Sequence, residues 1–255
     1  GESSLFGDFV GLDDLATENP RVVQGFIDIY GSWIDRFGVD GFRIDTAQHV
    51  NPEFWQAFVP AMLDRARARG IPNFHIFGEV ANDNMDVARQ ARWTRVANLP
   101  QVLDFAVARA IVDVAGGAGP TDEFATVFAG DALYAGGDAA ALRLPTFDGN
   151  HDAGRFGGFM DRQNPHASDA ERLARAELAN AMLLTMRGVP TIYYGDEQGF
   201  AGDGGDQDAR EDMFGSRVAS YNDNRLIGTP ATTATPRYDV HHPLYRQIAD
   251  LAAIR

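Results

Sequence analysis

The chain has 255 residues, 45% of them hydrophobic and 11% aromatic, which is enough to bury a sizeable core in one or two domains. It carries 22 Lys and Arg against 36 Asp and Glu, a net charge of −14. This charge disfavours nucleic acid and anionic membrane surfaces as partners and is compatible with a neutral polymer such as a polysaccharide. The absence of cysteine excludes disulfides and thiolate metal sites. No apolar run approaches the ~20 residues of a membrane span.

Hydrophobic periodicity predicts alternating helices and strands from Asn19 onward. Asn19 is a suitable helix cap, and apolar residues recur at helical spacing until Gly38. The run VDGFRID, Val39 to Asp45, is predicted to be a strand. A second helix is predicted from Asn51 to Gly70.

The alternation continues to the end of the chain. In chain order, we predict a strand at Asn73 to Val80, a helix at Asp86 to Trp93, a strand near Leu103, helical segments up to about Tyr134, a strand at Leu142 to Asn150, a helix from a capping box at Ser168 and Glu171 to Gly188, a strand at Pro190 to Glu197, and a helix from about Pro243. About five strands that alternate with helices predict an α/β protein built from parallel βαβ units.

The positions of polar residues distinguish between two α/β architectures. Four predicted strands end in acidic or histidine-bearing clusters, namely RID, GEV, GNHD and YGDE. Carboxylates at the C-terminal ends of successive strands open onto one face of a TIM (β/α)8 barrel, whereas an open doubly wound sheet concentrates its site at one crevice. The pattern therefore predicts a TIM barrel.

The first cluster pairs an arginine with an aspartate. Residues i and i+2 of a strand share a face, so Arg43 and Asp45 are expected to point into the same space. A guanidinium beside a carboxylate favours its ionised form and fixes its orientation, as a carboxylate nucleophile requires. The alternative from this stretch alone is a structural ion pair at the mouth of a barrel.

The second cluster places Glu79 after the apolar run Phe74 to Phe77. Apolar neighbours favour the protonated form of a carboxyl group, which makes Glu79 a candidate proton donor. Gly78 allows a close approach of another group. An ordinary solvated glutamate at a strand end is the alternative.

The third cluster is Asn150-His151-Asp152, whose side chains could bind sugar hydroxyls, a metal or nothing; no HExxH-type ligand spacing is present. Taken together, the clusters suit retaining glycoside hydrolysis, which needs one ionised and one protonated carboxyl group about 5 Å apart. Asp45 and Glu79, on neighbouring predicted strands, supply that asymmetry.

Four segments resemble motifs of the α-amylase family in the same order: GFRIDTAQHV, FGEV, FDGNHD and GVPTIYYGDEQG. The resemblance implies an α-amylase-type retaining glycoside hydrolase that acts on α-glucosidic bonds of starch-like glucans or maltooligosaccharides. It implies that Asp45 is the nucleophile, Glu79 the general acid/base and Asp152 a stabiliser of the transition state. The substrate-binding residues that it implies are Arg43, His49, His151 and Arg155.

The resemblance also implies a structural calcium ion in some members of the family. Asp14, in the stretch LDDL, corresponds to a calcium ligand, together with the backbone carbonyl of His49; oxygen-only ligation suits calcium. At Gln48 family members often carry a lysine that contacts sugar, so this position bears on substrate preference.

The family's first motif and its first three strands have no counterpart in the chain. We therefore expect only the C-terminal part of the barrel, the fourth to eighth strands, in residues 19–255. Residues 1–18 are expected to be a loop or the end of an inserted domain. Five of eight strands leave unpaired edges, so we expect the segment alone to be inactive. The Gly/Asp-rich stretch Gly202 to Asp212 lacks the EF-hand pattern and predicts a solvated loop that borders the substrate cleft.

Three alternatives to a hydrolase remain to be compared. A transglycosylase would use the same residues with a sugar as acceptor. A non-catalytic carbohydrate-binding relative usually loses one carboxylate, and all three are present here. A magnesium-dependent barrel enzyme is disfavoured because Arg43 would place a cation beside a cation site. The expected activity favours a secreted or periplasmic protein; the oligomeric state is not addressed by the sequence.

Overall fold

The computed structural model describes residues 11–82 and 84–255, so the first ten residues of the predicted segment 1–18 lie outside the described residues. The chain divides into two compact units. The first contains the described residues up to Leu103 and the segment Gly130–Pro145, and the second contains Asp104–Ala129 and Thr146–Arg255.

Helices dominate both units. The helices are α1 (Pro20–Phe37), α2 (Pro52–Ala68), α3 (Val87–Val96), α4 (Phe105–Ile111), α5 (Asp122–Ala129), α6 (Asp138–Ala141), α7 (Phe156–Gln163), α8 (Asp169–Thr185), α9 (Ala219–Asn222) and α10 (Pro243–Ile254). The strands are β1 (Gly41–Ile44), β2 (His75–Gly78), β3 (Gln101–Val102), β4 (Pro145–Thr146) and β5 (Val189–Pro190). Within residues 11–82 and 84–255, none of these helices has the length and hydropathy needed to cross a bilayer.

The first unit contains a parallel sheet with the order β1-β2-β3. Gly41 lies opposite His75, and Ile44 lies opposite Gly78. The ladder continues one step further, because the Glu79 N–H donates to the Ile44 carbonyl at 2.8 Å. Asp45 and Glu79 therefore leave the ends of two hydrogen-bonded strands side by side.

Aromatic side chains pack the two long helices of this unit against β1. The ring of Phe26 in α1 meets Phe54 in α2 edge-on at 5.5 Å. Tyr30 meets both Phe58 in α2, at 5.8 Å, and Phe42 in β1, at 5.7 Å. Edge-to-face contacts at these distances are favourable. These contacts fix the helices against β1, the strand that carries Arg43 and is followed immediately by Asp45.

The helix boundaries read from the sequence agree closely with the structure. The Asn19 side chain accepts a hydrogen bond from the Arg21 N–H at 2.9 Å, which caps α1. Gly38 ends the helix with φ of 63°, in the left-handed region that favours glycine. The Ser168 hydroxyl accepts from the Glu171 N–H at 3.2 Å and begins α8, as the capping box predicts.

All five strands are shorter than predicted, and three of them contain only two residues. The strand near Leu103 ends at Val102, because the Asp104 side chain accepts from the Val107 N–H at 3.1 Å and starts α4 at Phe105. The predicted strand Leu142 to Asn150 is reduced to β4, where Pro145 has no N–H for a ladder.

The predicted strand Pro190 to Glu197 is likewise reduced to β5. The Thr191 N–H still donates to the Thr146 carbonyl at 2.7 Å. Gly195 then turns the chain with φ of 90°, and residues Asp196–Gln198 form a 3₁₀ turn. The YGDE cluster is therefore a turn that follows a strand rather than the end of one.

Gly78 provides a test of the close packing around the strand end. A Cβ atom at this position would lie 2.8 Å from Leu99 Cδ1 and 2.9 Å from Ala47 Cβ. We expect Gly78→Ala to lower the free energy of unfolding by about 1–3 kcal/mol through overpacking. The matched control is Gly25→Ala inside α1, where a Cβ atom would meet nothing within 4 Å; it should stabilise by about 0.5–1 kcal/mol. Denaturant unfolding measures both, and equal effects would contradict the packing argument.

Candidate active site

In the first unit, one guanidinium contacts two carboxylates at the strand ends. Arg43 Nη1 contacts Asp45 Oδ1, which agrees with the expected alternation of the strand. Arg43 Nη2 lies 3.4 Å from Glu79 Oε2. The side chain of Asp45 is 66% exposed, whereas that of Glu79 is only 12% exposed. The structure thus brings together one open carboxylate and one sheltered carboxylate around a shared cation.

The turn after β1 also reaches Glu79. The Thr46 N–H donates to Glu79 Oε2 at 2.9 Å. Ala47 is fully buried, and its carbonyl accepts from the Trp55 indole N–H at 3.0 Å. The surroundings of Glu79 are therefore more polar than the flanking apolar run indicates, since a backbone donor and a guanidinium cation lie at the same carboxyl oxygen.

Gln48 and His49 complete this turn. The Gln48 amide donates to the Ala81 carbonyl at 3.4 Å, and its oxygen accepts from Arg89 Nη2 at 3.0 Å. Gln48 therefore ties the turn to the segment that follows Glu79. His49 ends the short 3₁₀ helix Ala47–His49 and is half-buried. Its predicted contact with a sugar stays a prediction.

A cavity of about 340 Å³ adjoins Asp45. Its polar lining includes Asp14, Arg43 and Asp45, and aromatic rings such as Tyr30 and Trp55 form much of the rest. Apolar walls with a few convergent polar groups are typical of sites that bind small molecules.

The predicted calcium site receives only part of its ligand set from the described residues. Asp14 lines the same cavity as Val50, the residue after His49, and the side chain of Asp14 is exposed. Between residues 11 and 82 and between 84 and 255, no group of three or more His, Asp or Glu side chains is arranged to hold a metal ion. One carboxylate and one carbonyl fall short of the six to eight oxygens that calcium prefers. Calcium binding stays a prediction, and no chemical step depends on it.

The second unit carries Asp152 in a tight turn. Asn150 and Gly154 exchange two backbone hydrogen bonds, at 2.9 and 3.1 Å. The Asn150 side chain accepts from the N–H groups of Asp152 and Ala153, at 2.9 and 2.7 Å. His151 Nε2 lies 3.2 Å from Asp152 Oδ2. The sequence motif NHD is thus a closed turn that presents its last two side chains together.

Arg210 is a contact of Asp152 that the sequence analysis missed. Its Nη2 atom lies 3.1 Å from Asp152 Oδ1 and 2.8 Å from Asp206 Oδ1. The Asp206 N–H donates to the Asp152 carbonyl at 2.9 Å. The loop Gly202 to Asp212 is therefore docked onto the Asp152 turn rather than merely solvated. Its Gly/Asp-rich composition hid this role, although an arginine within an acidic loop was a signal.

Arg155 does not present its side chain to a sugar, which corrects the expectation from the sequence. The side chain is fully buried. Its Nη1 atom donates to the Tyr194 carbonyl at 2.8 Å and to Asp196 Oδ1 at 2.7 Å. Its Nε atom lies 2.8 Å from Glu211 Oε2, and its guanidinium stacks 4.3 Å from the ring centroid of Tyr193. Arg155 instead joins the stem of the Asp152 turn to two later segments.

Two carboxyl groups, those of Asp196 and Glu211, contact this arginine, and the negative charge of a third, Asp148, acts on Asp196. Burial raises the pKa of Asp148 to about 6. Burial also raises the pKa of Asp196, partly offset by the positive charge of Arg155, and raises the pKa of Glu211 in the same way. One guanidinium cannot neutralise three carboxylates, so the cluster retains a proton at a pH where exposed aspartates have lost theirs.

Comparisons with known proteins bear on the whole chain. The family model of the alpha-amylase catalytic domain matches residues 2–230. The alpha-amylase of Streptomyces lividans is 46% identical over all 255 residues, and the cyclomaltodextrin glucanotransferase of Niallia circulans is 31% identical over 86% of the chain. The chain spans 28% of the length of each of these relatives. An Anoxybacillus alpha-amylase crystal structure superposes with a TM-score of 0.74 and 25% identity, and covers 97% of this chain and 46% of its own.

The buried Asp148 predicts a specific dependence of stability on pH. An aspartate whose pKa is about 6 in the folded state and near 3.9 when unfolded binds more protons when folded between those values. The contribution of Asp148 to the free energy of unfolding should therefore be largest below pH 4. It should fall by on the order of 2 kcal/mol as the pH rises to about 6. Asp148→Asn should flatten this slope.

The control for this prediction is Asp250→Asn, an exposed aspartate in α10. Denaturant unfolding at a series of pH values between 4 and 8 measures both variants against the unmodified protein. The same slope in Asp148→Asn and in the unmodified protein would contradict the argument.

Proposed function

The chain belongs to the α-amylase catalytic-domain family, and from that premise we propose that the protein is a retaining glycoside hydrolase acting on α-glucosidic bonds of starch-like glucans or maltooligosaccharides. One observation supports this proposal above the others. Asp45 and Glu79 leave neighbouring parallel strands in register, with Arg43 against both carboxyl groups. Neighbouring strands lie about 4.8 Å apart, so side chains that leave them side by side can bring two carboxyl groups to the roughly 5 Å separation of retaining enzymes.

The proposed reaction is a double displacement. An Asp45 oxygen attacks the anomeric carbon as the bond from that carbon to the glycosidic oxygen breaks, and Glu79 gives its proton to the departing oxygen. The product is a glycosyl ester of Asp45. Glu79, now a carboxylate, takes a proton from water, whose oxygen attacks the anomeric carbon and releases Asp45. The open position of Asp45 suits attack on a polymer, and the sheltered position of Glu79 suits proton transfer.

Asp152 and His151 are proposed to bind sugar hydroxyls, and Asp152 to stabilise the transition state. The support is their shared presentation by the Asn150–Gly154 turn and the family's motif. The half-exposed Asp152 side chain can accept hydrogen bonds from hydroxyl groups, and ionised acceptors make the stronger ones. All three carboxylates of the family pattern are present, which disfavours a purely sugar-binding protein.

A transglycosylase is the second candidate, because a relative that is 31% identical is a cyclomaltodextrin glucanotransferase. The same glycosyl ester would then be transferred to a sugar hydroxyl instead of water. We also propose that the chain supplies the fourth to eighth strands of the (β/α)8 barrel. A secreted or periplasmic location remains a prediction from the activity.

Replacement of the proposed nucleophile gives the sharpest test of this function. Asp45→Asn in the full-length protein should lower kcat on maltooligosaccharides by at least about 10³-fold, because the covalent step is lost. The control is Asp64→Asn on the exposed face of α2, which removes a surface ion pair with Arg67. In the unmodified enzyme, a 5-fluoroglycosyl fluoride should label Asp45, as read by peptide mass spectrometry. Activity within tenfold of the unmodified enzyme, or a label elsewhere, would rule out the assignment.

Product analysis separates the hydrolase from the transglycosylase. The full-length enzyme is incubated with maltoheptaose in ¹⁸O-labelled water and the products are resolved by mass spectrometry. We expect most new reducing ends to carry ¹⁸O, because water accepts the glycosyl group. Products longer than the substrate, or cyclic products without the label, would instead assign the protein to the transferases.

A further inference from the structure

We propose that the backbone N–H of Thr46 is a positioning group for Glu79, which holds one carboxyl oxygen as an acceptor and leaves Oε1 to carry the proton for the leaving group. This inference rests on the proposed role of Glu79 as the general acid. It adds a main-chain group, one residue after the proposed nucleophile, to the groups that control the acid.

The Thr46 N–H and the Arg43 cation distinguish the two oxygens of Glu79. The Thr46 N–H donates to Oε2 at 2.9 Å, and Arg43 Nη2 lies 3.4 Å from the same atom. An amide N–H and a guanidinium are donors with no acceptor capacity. A proton on Oε2 would therefore face the hydrogen of the Thr46 N–H and the positive charge of Arg43, and both of these contacts are to Oε2 rather than Oε1. The protonated form of Glu79 consequently carries its proton on Oε1.

The conformation of Thr46 is costly, which indicates that its direction matters. Its φ of 46° lies in the left-handed region, where a β-branched residue is an outlier. Such conformations cost on the order of 1–3 kcal/mol and persist only where the surroundings impose them. Two hydrogen bonds to main-chain carbonyls hold the turn Thr46–His49 in this conformation. The His49 N–H donates to the Thr46 carbonyl at 2.9 Å, and the Trp55 indole N–H holds the next carbonyl, that of Ala47.

The same turn packs directly on the strand that carries Glu79. The Cβ atom of Ala47 lies 2.9 Å from the point that a Cβ on Gly78 would occupy. The main chain of Glu79 donates to the Ile44 carbonyl at 2.8 Å, and its side chain accepts from Thr46. Residue 79 is therefore tied to the β1 end by one hydrogen bond of its backbone and one of its side chain. These ties fix the acid relative to the residue between them, Asp45.

An amide-to-ester substitution tests this inference. The α-hydroxy acid analogue of threonine, introduced at position 46 of the full-length enzyme by nonsense suppression, replaces the N–H with an oxygen and keeps the side chain. Two substrates are compared: a maltooligosaccharide, whose leaving oxygen needs a proton, and α-maltosyl fluoride, whose fluoride leaves without one. A lost hydrogen bond to a charged group and a misplaced acid should lower kcat on the oligosaccharide by about 10- to 100-fold. The rate of fluoride release in the first turnover, before Glu79 is needed as the base, should stay within about threefold.

The control is the corresponding ester at Leu133. Its N–H donates to the Gly130 carbonyl at 2.9 Å, so an equally short hydrogen bond is lost from the same unit. We expect both substrates to be cleaved at unmodified rates. If the Thr46 ester does not fold, Trp55→Phe removes the donor that holds the Ala47 carbonyl and should give the same selective loss, about threefold on the oligosaccharide with no measurable change in the first-turnover release of fluoride.

Glu79→Gln separates the failure of this inference from that of the proposed function. If Glu79→Gln cleaves the oligosaccharide at the unmodified rate, Glu79 is not the general acid and the proposed function fails. If Glu79→Gln loses oligosaccharide cleavage and keeps the release of fluoride in the first turnover, which needs neither acid nor base, the role of Glu79 stands. An ester at Thr46, or Trp55→Phe in its place, that then affects both substrates equally or neither would overturn the positioning role alone.

Discussion

The parallel register between β1 and β2 is the constraint on which the candidate site depends. Because Ile44 lies opposite Gly78, the next residues on each strand, Asp45 and Glu79, are neighbours. A slip of one residue would turn one of these side chains to the other face of the sheet. Glycine makes this register possible at its far end too, since a Cβ at Gly41 would lie 2.3 Å from the His75 carbonyl oxygen.

In the second unit, the main structural requirement is to hold the exposed turn Asn150–Gly154, which carries Asp152, in place. A buried ion pair is weak evidence of stability, because desolvation offsets most of the Coulombic gain. The role of Arg155 is to link chain segments. Its guanidinium joins the stem of the Asp152 turn to Tyr194, Asp196 and Glu211. Removing one partner of such a cluster would leave a buried charge uncompensated and would therefore destabilise the unit strongly.

Short sequence patterns correctly predicted the features that depend on side chains close together in the chain. The caps at Asn19 and Ser168, and the Arg43–Asp45 contact, follow from side chains a few residues apart, and all are present. The burial of Arg155 was not predictable, because it depends on partners about 40 and 56 positions away along the chain that only tertiary packing brings together.

The predicted strand lengths failed for a related reason. Apolar residues near Leu103 and Leu142 favour strand, but the Asp104 side chain begins a helix and Pro145 removes a ladder donor. Propensity averaged over a window does not register a single residue that ends an element. The sequence nevertheless placed Asp45 and Glu79 correctly, directly after β1 and β2. The pairing of these two strands runs from Gly41 to Gly78, and both glycines are visible in the sequence.

The difference between the two carboxyl groups of the first unit arises from the backbone as much as from the side chains. Asp45 and Glu79 share the same cation, so Arg43 alone does not distinguish them. What distinguishes them is shelter and direction: Glu79 is 12% exposed against 66% for Asp45, and it also accepts from the Thr46 N–H. A main-chain donor cannot rotate away or titrate, so the proton of Glu79 is directed by a group that a change of side chain leaves in place.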